Sequence, residues 1–267
     1  MQLAEISYLK IAIALCFLFY VTILDLKYRE VEPKIWLIFG IISALFTGIE
    51  LSIYGLSFEK ILYLTASVTI ALTVGGLAYF FNLFGGADFF ALLVLAILHP
   101  WYPTKPAFML KISMPFILVV LINSLIASII MPFLNLLRNI RYLKVLYEAK
   151  MPFRYKLAFL LLGYPISIHK YLSTKFVFPL ILYEKTSEGK LRVRYRFSFS
   201  IDEEHYEHQM KLRRLVNEGL IDKNTLIWVT QGIPLLVFLT FGYVFSLIVG
   251  DIILCYVFTY ILKISAC

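Results

Sequence analysis

Two aspartates carry the chemistry that this sequence can do. Asp25 closes the first apolar stretch, and Asp88 follows a glycine pair in Gly85-Gly86-Ala87-Asp88. Two carboxylates that share one proton can divide the work of hydrolysis, one drawing a proton from water and the other protonating a leaving amine. Like charges held close cannot both ionise comfortably, which is why one of them keeps the proton. Such a pair titrates as a unit, so at this level the acid and base roles are interchangeable. Peptide hydrolysis by this route needs no metal and no nucleophilic Ser or Cys. Gly85, Gly86 and Ala87 leave room for a substrate backbone, and glycine opens torsions closed to other residues.

The elements that must position these acids are membrane helices. Of 267 residues, 61% are hydrophobic and only 16% charged, with mean hydropathy +0.83. A soluble domain of this length cannot hide so much apolar surface, so lipid is the solvent for much of the chain. Six apolar stretches predict six spans, near residues 5–26, 35–55, 60–82, 88–101, 112–137 and 227–262. The fourth is short for a core of ~30 Å, but it follows directly on Phe84-Gly85-Gly86-Ala87. The first has neither a basic leader region nor a small-x-small site, so it reads as a retained helix.

The +8 net charge follows the membrane and is no sign of nucleic acid. Of 25 Lys and Arg, three lie in Lys27–Lys34 and seventeen in 138–226, whereas Lys10, Lys60, Lys105, Lys111 and Lys263 are assigned to the other face. The rich side is cytoplasmic by the positive-inside rule, with Arg138, Arg141 and Lys144 nearest the bilayer. Both termini are then outside, while the 26–34 turn, the 83–88 turn and segment 138–226 are inside. Asp25 and Asp88, 63 residues apart in sequence, come to one face at one depth. Either alone could simply face headgroups; the two together suggest a site.

The expected architecture is an all-α polytopic membrane protein with six transmembrane helices and a small α+β cytoplasmic module. Its parts are 1–137, five helices with both acids; 138–226, the module; and 227–267, the last helix. In the module, Leu157–Ile168 is apolar but too short to cross, which predicts an interfacial or re-entrant segment. Phe176–Tyr183 and Leu191–Phe199, separated by Thr186-Ser187-Glu188-Gly189, predict a hairpin. In its second strand Leu191, Val193, Tyr195, Phe197 and Phe199 face one side, Arg192, Arg194, Arg196 and Ser198 the other. That arginine face would meet anionic headgroups or a partner protein. Ser200 with Glu203 resembles a capping box opening a helix that Gly219 could end. Cys16, Cys255 and Cys267 lack CxxC spacing, and His205 and His208 lack a third ligand, so neither a disulfide framework nor a metal site is expected. Asn123 is placed to hydrogen-bond between helices, Glu50 at the outer end of the second span, and Asp251 near the outer interface, far from the pair.

The pair resembles the GxGD membrane aspartyl peptidases, specifically the archaeal prepilin and preflagellin signal peptidases. In that family one catalytic Asp ends the first helix in a D-x-x-x-R-x-[hydrophobic]-[polar]-x-x-x-W turn, matched here by Asp25, Arg29, Val31, Glu32 and Trp36. The second lies in GxGD or in an archaeal form with a hydrophobic third position, matched by Gly85-Gly86-Ala87-Asp88. Ile227–Pro234, with Gly242, Gly250 and Asp251 downstream, looks like the family's final helix. Arg29 reads first as a positive-inside anchor, but in this turn it can also bias Asp25 electrostatically. Phe90 stands where bacterial members often have lysine, and the paired CxxC loop linked to methylation in bacterial relatives is absent.

The resemblance implies a cofactor-free aspartic-type endopeptidase in the cell membrane, its catalytic pair facing the cytoplasm. Its substrates would be archaellin or type IV pilin-like precursors with a short basic leader, and Asp202-Glu203-Glu204 offers acidic charge for such a leader. Beyond substrate and bilayer no partner is indicated, and oligomeric state leaves no sequence signal. Other readings are an intramembrane protease of broader specificity, an ion-coupled transporter using the aspartates as a proton relay, and a membrane scaffold.

Overall fold

The computed structural model describes residues 2–81, 85–110, 114–186, 190–200, 203–232 and 234–264. Expectations resting on Phe84, Lys111, the Ser187-Glu188-Gly189 turn, Asp202, Ile233 and Cys267 lie outside them. In lipid every backbone polar group must be paired within the protein, so the apolar runs become helices. In chain order these are α1 (Gln2–Tyr28), α2 (Pro33–Tyr54) and α3 (Phe58–Ile70), a π-helical turn (Ala71–Gly75), then α4 (Gly76–Phe80), α5 (Gly86–Leu98) and α6 (Phe116–Ser128). There follow α7 (Ile130–Asn139), α8 (Leu143–Glu148), α9 (Phe153–Leu162), β1 (Tyr164–Ser167), α10 (Ile168–Tyr171), β2 (Val177–Pro179), β3 (Ile181–Lys185) and β4 (Leu191–Tyr195). The chain continues through α11 (His205–Asn217), β5 (Leu226–Gln231), α12 (Leu235–Ile248), α13 (Ile252–Tyr256) and a π turn (Val257–Ile261).

Among the described residues four helical segments are long and apolar enough to cross a bilayer: Glu5–Tyr28, Pro33–Ile53, Phe58–Phe80 and Phe116–Glu148. Gly86–Leu98, Leu235–Ile248 and Ile252–Ile261 are apolar but shorter. The chain divides into two compact units, one of Met1–Ser128 with Pro234–Cys267, the other Ile129–Ile233. The polar module is therefore wider at both ends than its composition indicates. At the near end, Asn139 of α7 caps α9, donating to the carbonyls of Phe159, Leu160 and Gly163 at 3.3, 3.0 and 2.6 Å. At the far end, Leu226–Gln231 is the central strand of a sheet ordered β1-β5-β2, although residues 227–231 were expected to open the last helix. Its run of β-branched and aromatic residues suits a buried strand as well as a span, and the antiparallel neighbours Tyr164–Ser167 and Val177–Pro179 decide it.

The first unit is held by close helix crossings and by polar side chains that bond inside the bundle. Its core gathers Leu18, Trp36, Phe39, Leu92, Leu95, Phe116, Val120 and Tyr243. Where α12 crosses α6, a Cβ at Gly242 would run into Ser124 Oγ and stand 2.7 Å from the Ser124 nitrogen. Asn123 bridges the same two segments as expected, donating to Ser246 Oγ (2.8 Å) and the Gly250 carbonyl (3.0 Å). Glu50 is buried and ion-paired with the buried Lys10, and it accepts from Trp101 Nε1 at 3.2 Å. The last apolar segment is not continuous: it breaks between α12 and α13 at Gly250, whose φ of 86° suits glycine. The Phe108 amide pairs there with the Val249 carbonyl, and both Asp251 oxygens accept from Leu110 N. Cys255 is disulfide-bonded, contrary to expectation, while Cys16 is free; three cysteines without motif spacing give no signature for a single bridge.

The second unit packs α9, α11 and two sheets around Phe159, Ile168, Tyr171, Val177, Leu180 and Trp228. Leu157–Ile168 is not one continuous segment: it holds the second half of α9, then β1, and ends where α10 begins. The run Phe176–Tyr183 also divides. Its first part pairs with β5 and its second with β4, and Leu180 turns between them, its amide on the Trp228 carbonyl (2.8 Å) and its carbonyl on Arg196 N (3.0 Å). The hairpin β3–β4 is as expected, but Val193 and Phe197 are exposed rather than inward. Arg196 leaves the arginine face, donating to the Pro179 carbonyl (2.7 Å) and to both Glu203 oxygens (2.6 Å each). Glu203 serves this latch rather than a helix cap, since α11 starts at His205. Gly219 does end α11: it takes φ 72°, and the bonds Gly219 N to Val216 O and Leu220 N to Leu215 O form a Schellman motif.

Burial alone would raise the Glu203 carboxyl, but the bonds from Arg196 and His208 outweigh it and hold the group below the ordinary glutamate range. A depressed carboxyl stabilises the fold above its unfolded pKa, and that contribution is lost as pH falls through the folded value. The stability gap between the native chain and Glu203→Gln should therefore be full at neutral pH and close below about 4.5, which thermal melts in detergent across pH would show. The α6–α12 crossing gives a second expectation. Gly242→Ala should cost about 1–3 kcal/mol by overpacking, whereas Gly48→Ala, with nothing within 4 Å of the new Cβ, should be neutral or stabilise by up to about 1 kcal/mol.

Candidate active site

Asp88 is the third residue of α5, and its carboxylate reaches back to cap its own helix. Gly85 N–H donates to Asp88 Oδ2 at 2.9 Å, while Phe89 N returns to the Gly85 carbonyl at 3.2 Å. An acid in the first turn also faces the positive end of the helix dipole. Gly85 has φ −73° and ψ 162°, an extended backbone open to any residue, and Gly86 is helical. The glycine pair therefore needs no special torsion, which corrects the expectation above. Packing does not demand it either. A Cβ at Gly85 would stand 3.4 Å from Asp88 Oδ2, and one at Gly86 3.9 Å from the Tyr79 ring, both ordinary contacts. Ala87 is partly buried against the core.

Asp25 lies in the last turn of α1, which ends when Arg29 takes φ 56°, a left-handed conformation costly for a residue with a Cβ. The Arg29 amide closes that turn on the Asp25 carbonyl at 2.8 Å. Val31 then buries itself and Pro33 opens α2, at a position where its missing N–H costs nothing. The charges of Asp25 and Arg29 both act on Asp88, and that of Arg29 acts on Asp25. Asp25, Arg29 and Asp88 thus form one electrostatic cluster at the meeting of α1 and α5. Both acids are half-buried.

An aromatic ridge holds the two helices in this relation. Phe17 of α1 stacks on Phe39 of α2 at 3.6 Å and meets Trp36 edge-on at 5.4 Å. Trp36 lies over Phe90 at 6.3 Å, and Phe90 adjoins Phe89 at 5.3 Å. Phe89 and Phe90 directly follow Asp88, so the ridge ties Trp36 to the acid's own backbone. Trp36 Nε1 has no hydrogen-bond partner among the described residues, and the indole acts as an apolar body. Phe90 belongs to this ridge.

Residues 12–132 match the sequence profile of the Type IV leader peptidase family, and residues 155–252 that of the Archaeal Peptidase A24 C-terminus Type II. The chain belongs to the archaeal leader peptidases of family A24. The first match contains both acids, Arg29, Trp36 and the glycine pair; the second runs from α9 into the last apolar segment. No curated protein matches the chain.

Placing Asp251 and Glu50 outside the site agrees with their bonds to Leu110 and to Lys10. A further feature of this leader peptidase has little signature in its sequence. The helix running from Phe58 to Phe80 is interrupted by the π turn Ala71–Gly75, and such turns recur at functional sites. A Cβ at Gly75 would stand 3.0 Å from the Phe89 ring and 3.5 Å from Leu92. The turn thus makes a socket for the residue next to Asp88. The pair Gly75-Gly76 in the middle of an apolar run was the available signal. Gly75→Ala should push Phe89 by a few tenths of an ångström and lower leader cleavage about tenfold, since small misplacements of catalytic groups are expensive. Gly76→Ala, with nothing within 4 Å of its Cβ, should leave the rate unchanged and controls for helix propensity.

Proposed function

We propose that this leader peptidase is an aspartic-type endopeptidase that removes the short basic leader from preflagellin (archaellin) or type IV pilin-like precursors at the cytoplasmic membrane face. The observation that carries the reading is the cluster of Asp25, Arg29 and Asp88 inside one matched family segment. One carboxylate takes a proton from water as the oxygen attacks the scissile carbonyl, and the other gives its proton to the departing amine. The acid and the amine separate, and proton exchange with solvent resets the pair. The Gly85 amide steadies the charged form of Asp88, and Arg29 offsets the repulsion between two neighbouring acids.

Gly85 and Gly86 are required neither by torsion nor by packing, which favours access of an extended substrate backbone as their purpose. Six spans remain the proposed topology, with α5 and the broken α12–α13 segment as the two that fall short of a full crossing by themselves. The concentration of Lys and Arg in residues 27–34 and 138–226 supports a cytoplasmic catalytic pair.

The test is co-expression of a precursor with Asp25→Asn or Asp88→Asn. Each should abolish leader removal while the protein still accumulates in the membrane, as read by the precursor's mobility and by mass spectrometry. Retained cleavage in either variant would falsify the dyad. Mapping the cut bond separates leader removal from a broader intramembrane protease, and unchanged processing with both acids replaced would favour a transporter or scaffold.

A further inference from the structure

We propose that the face of the second unit formed by α8 and α9 is a docking surface for the anionic phospholipids of the bilayer. A groove of about 740 Å³ lies there, lined by Leu143, Tyr147, Phe153 and Leu160 together with Lys144 and Lys156. That volume is in the range of small-molecule sites, and its walls are methylene and aromatic surface suited to acyl chains. Tyr147 is 82% exposed and Phe153 78%. Two large exposed aromatics lining one groove mark an interaction surface rather than scatter.

Charge selects the occupant. Between residues 138 and 156 the chain carries Arg138, Arg141, Lys144, Lys150, Arg154 and Lys156 against the single acid Glu148. The cations are set among aromatic rings. Lys156 Nζ donates to the Tyr147 carbonyl at 2.6 Å and lies 5.5 Å from its ring, and the Arg154 and Arg141 guanidinium groups stand 5.0 and 5.1 Å from Tyr155 and Tyr142. Aromatic rings with lysine and arginine beside apolar side chains are the composition of a segment lying in the headgroup region. A basic leader would be repelled by this surface. The chain also leads here from lipid: Ile129, the unit's first residue, follows directly on the apolar α6.

The experiment is hydrogen exchange on the full-length protein in nanodiscs of phosphatidylcholine alone and of phosphatidylcholine mixed with phosphatidylglycerol. Amides of residues 143–162 should exchange more slowly in the anionic discs. Lys144→Gln and Lys156→Gln should each weaken that protection about fivefold, the value of one basic residue at an anionic surface. Tyr147→Ser with Phe153→Ser should remove it as well, and as exposed positions these leave the fold intact, which exchange in α11 reports. Equal exchange in the two discs overturns the proposal. So does equal protection from soluble glycerol phosphate, which would mark an anion site, and protection that appears only with a precursor peptide, which would assign the groove to substrate.

Discussion

A carboxylate inside a membrane bundle is tolerable where a helix ends, because there the backbone offers unpaired groups and the chain can turn toward water. The candidate site depends on that constraint twice. Asp88 stands in the first turn of α5 and takes the Gly85 amide that the helix cannot use. Asp25 stands in the last turn of α1, which the left-handed Arg29 brings to a stop. One acid sits at a positive helix end and the other at a negative one, so the backbone favours charge on Asp88 more than on Asp25.

The rest of the first unit keeps these two ends together. The ridge from Phe39 through Phe17 and Trp36 to Phe90 supplies the lateral contact, and the π turn at Ala71–Gly75 receives Phe89 from the other side. Lys10 and Glu50 link α1 to α2 by a buried ion pair. Replacing one partner of such a pair strands a charge in a low dielectric, a loss of about 3–5 kcal/mol, so the pair fixes the alignment of the helices that carry Asp25 and Trp36. Asn123, Ser246 and Asp251 do the same for the broken last segment, where the backbone at Phe108 bonds to Val249 and Asp251 across the break at Gly250.

The second unit obeys a different economy. Its helices and strands are short, and its side chains close the ends that the backbone leaves open: Asn139 for α9, Arg196 for the Pro179 carbonyl, Trp228 Nε1 for the Phe159 carbonyl at 3.1 Å. Its polar composition reflects many such termini.

The sequence by itself determined the membrane class, the helical runs, both candidate acids and the Asp25–Trp36 turn, because hydropathy, charge distribution and local motifs act over a few residues. The hairpin β3–β4 and the end of α11 at Gly219 were legible for the same reason, through alternation and turn chemistry. Residues 227–231 carry no such local signal, since an apolar β-branched run fits a strand or a span and only its pairing with Tyr164–Ser167 and Val177–Pro179 separates them. The split at Leu180 and the departure of Arg196 from its face likewise rest on contacts that alternation does not encode. At the site, tertiary structure decided what the glycines are not: neither strained nor crowded. It also decided that Gly75, thirteen residues before Asp88, holds the neighbour of that acid, a relation that a helical bulge creates and at which the pair Gly75-Gly76 only hints.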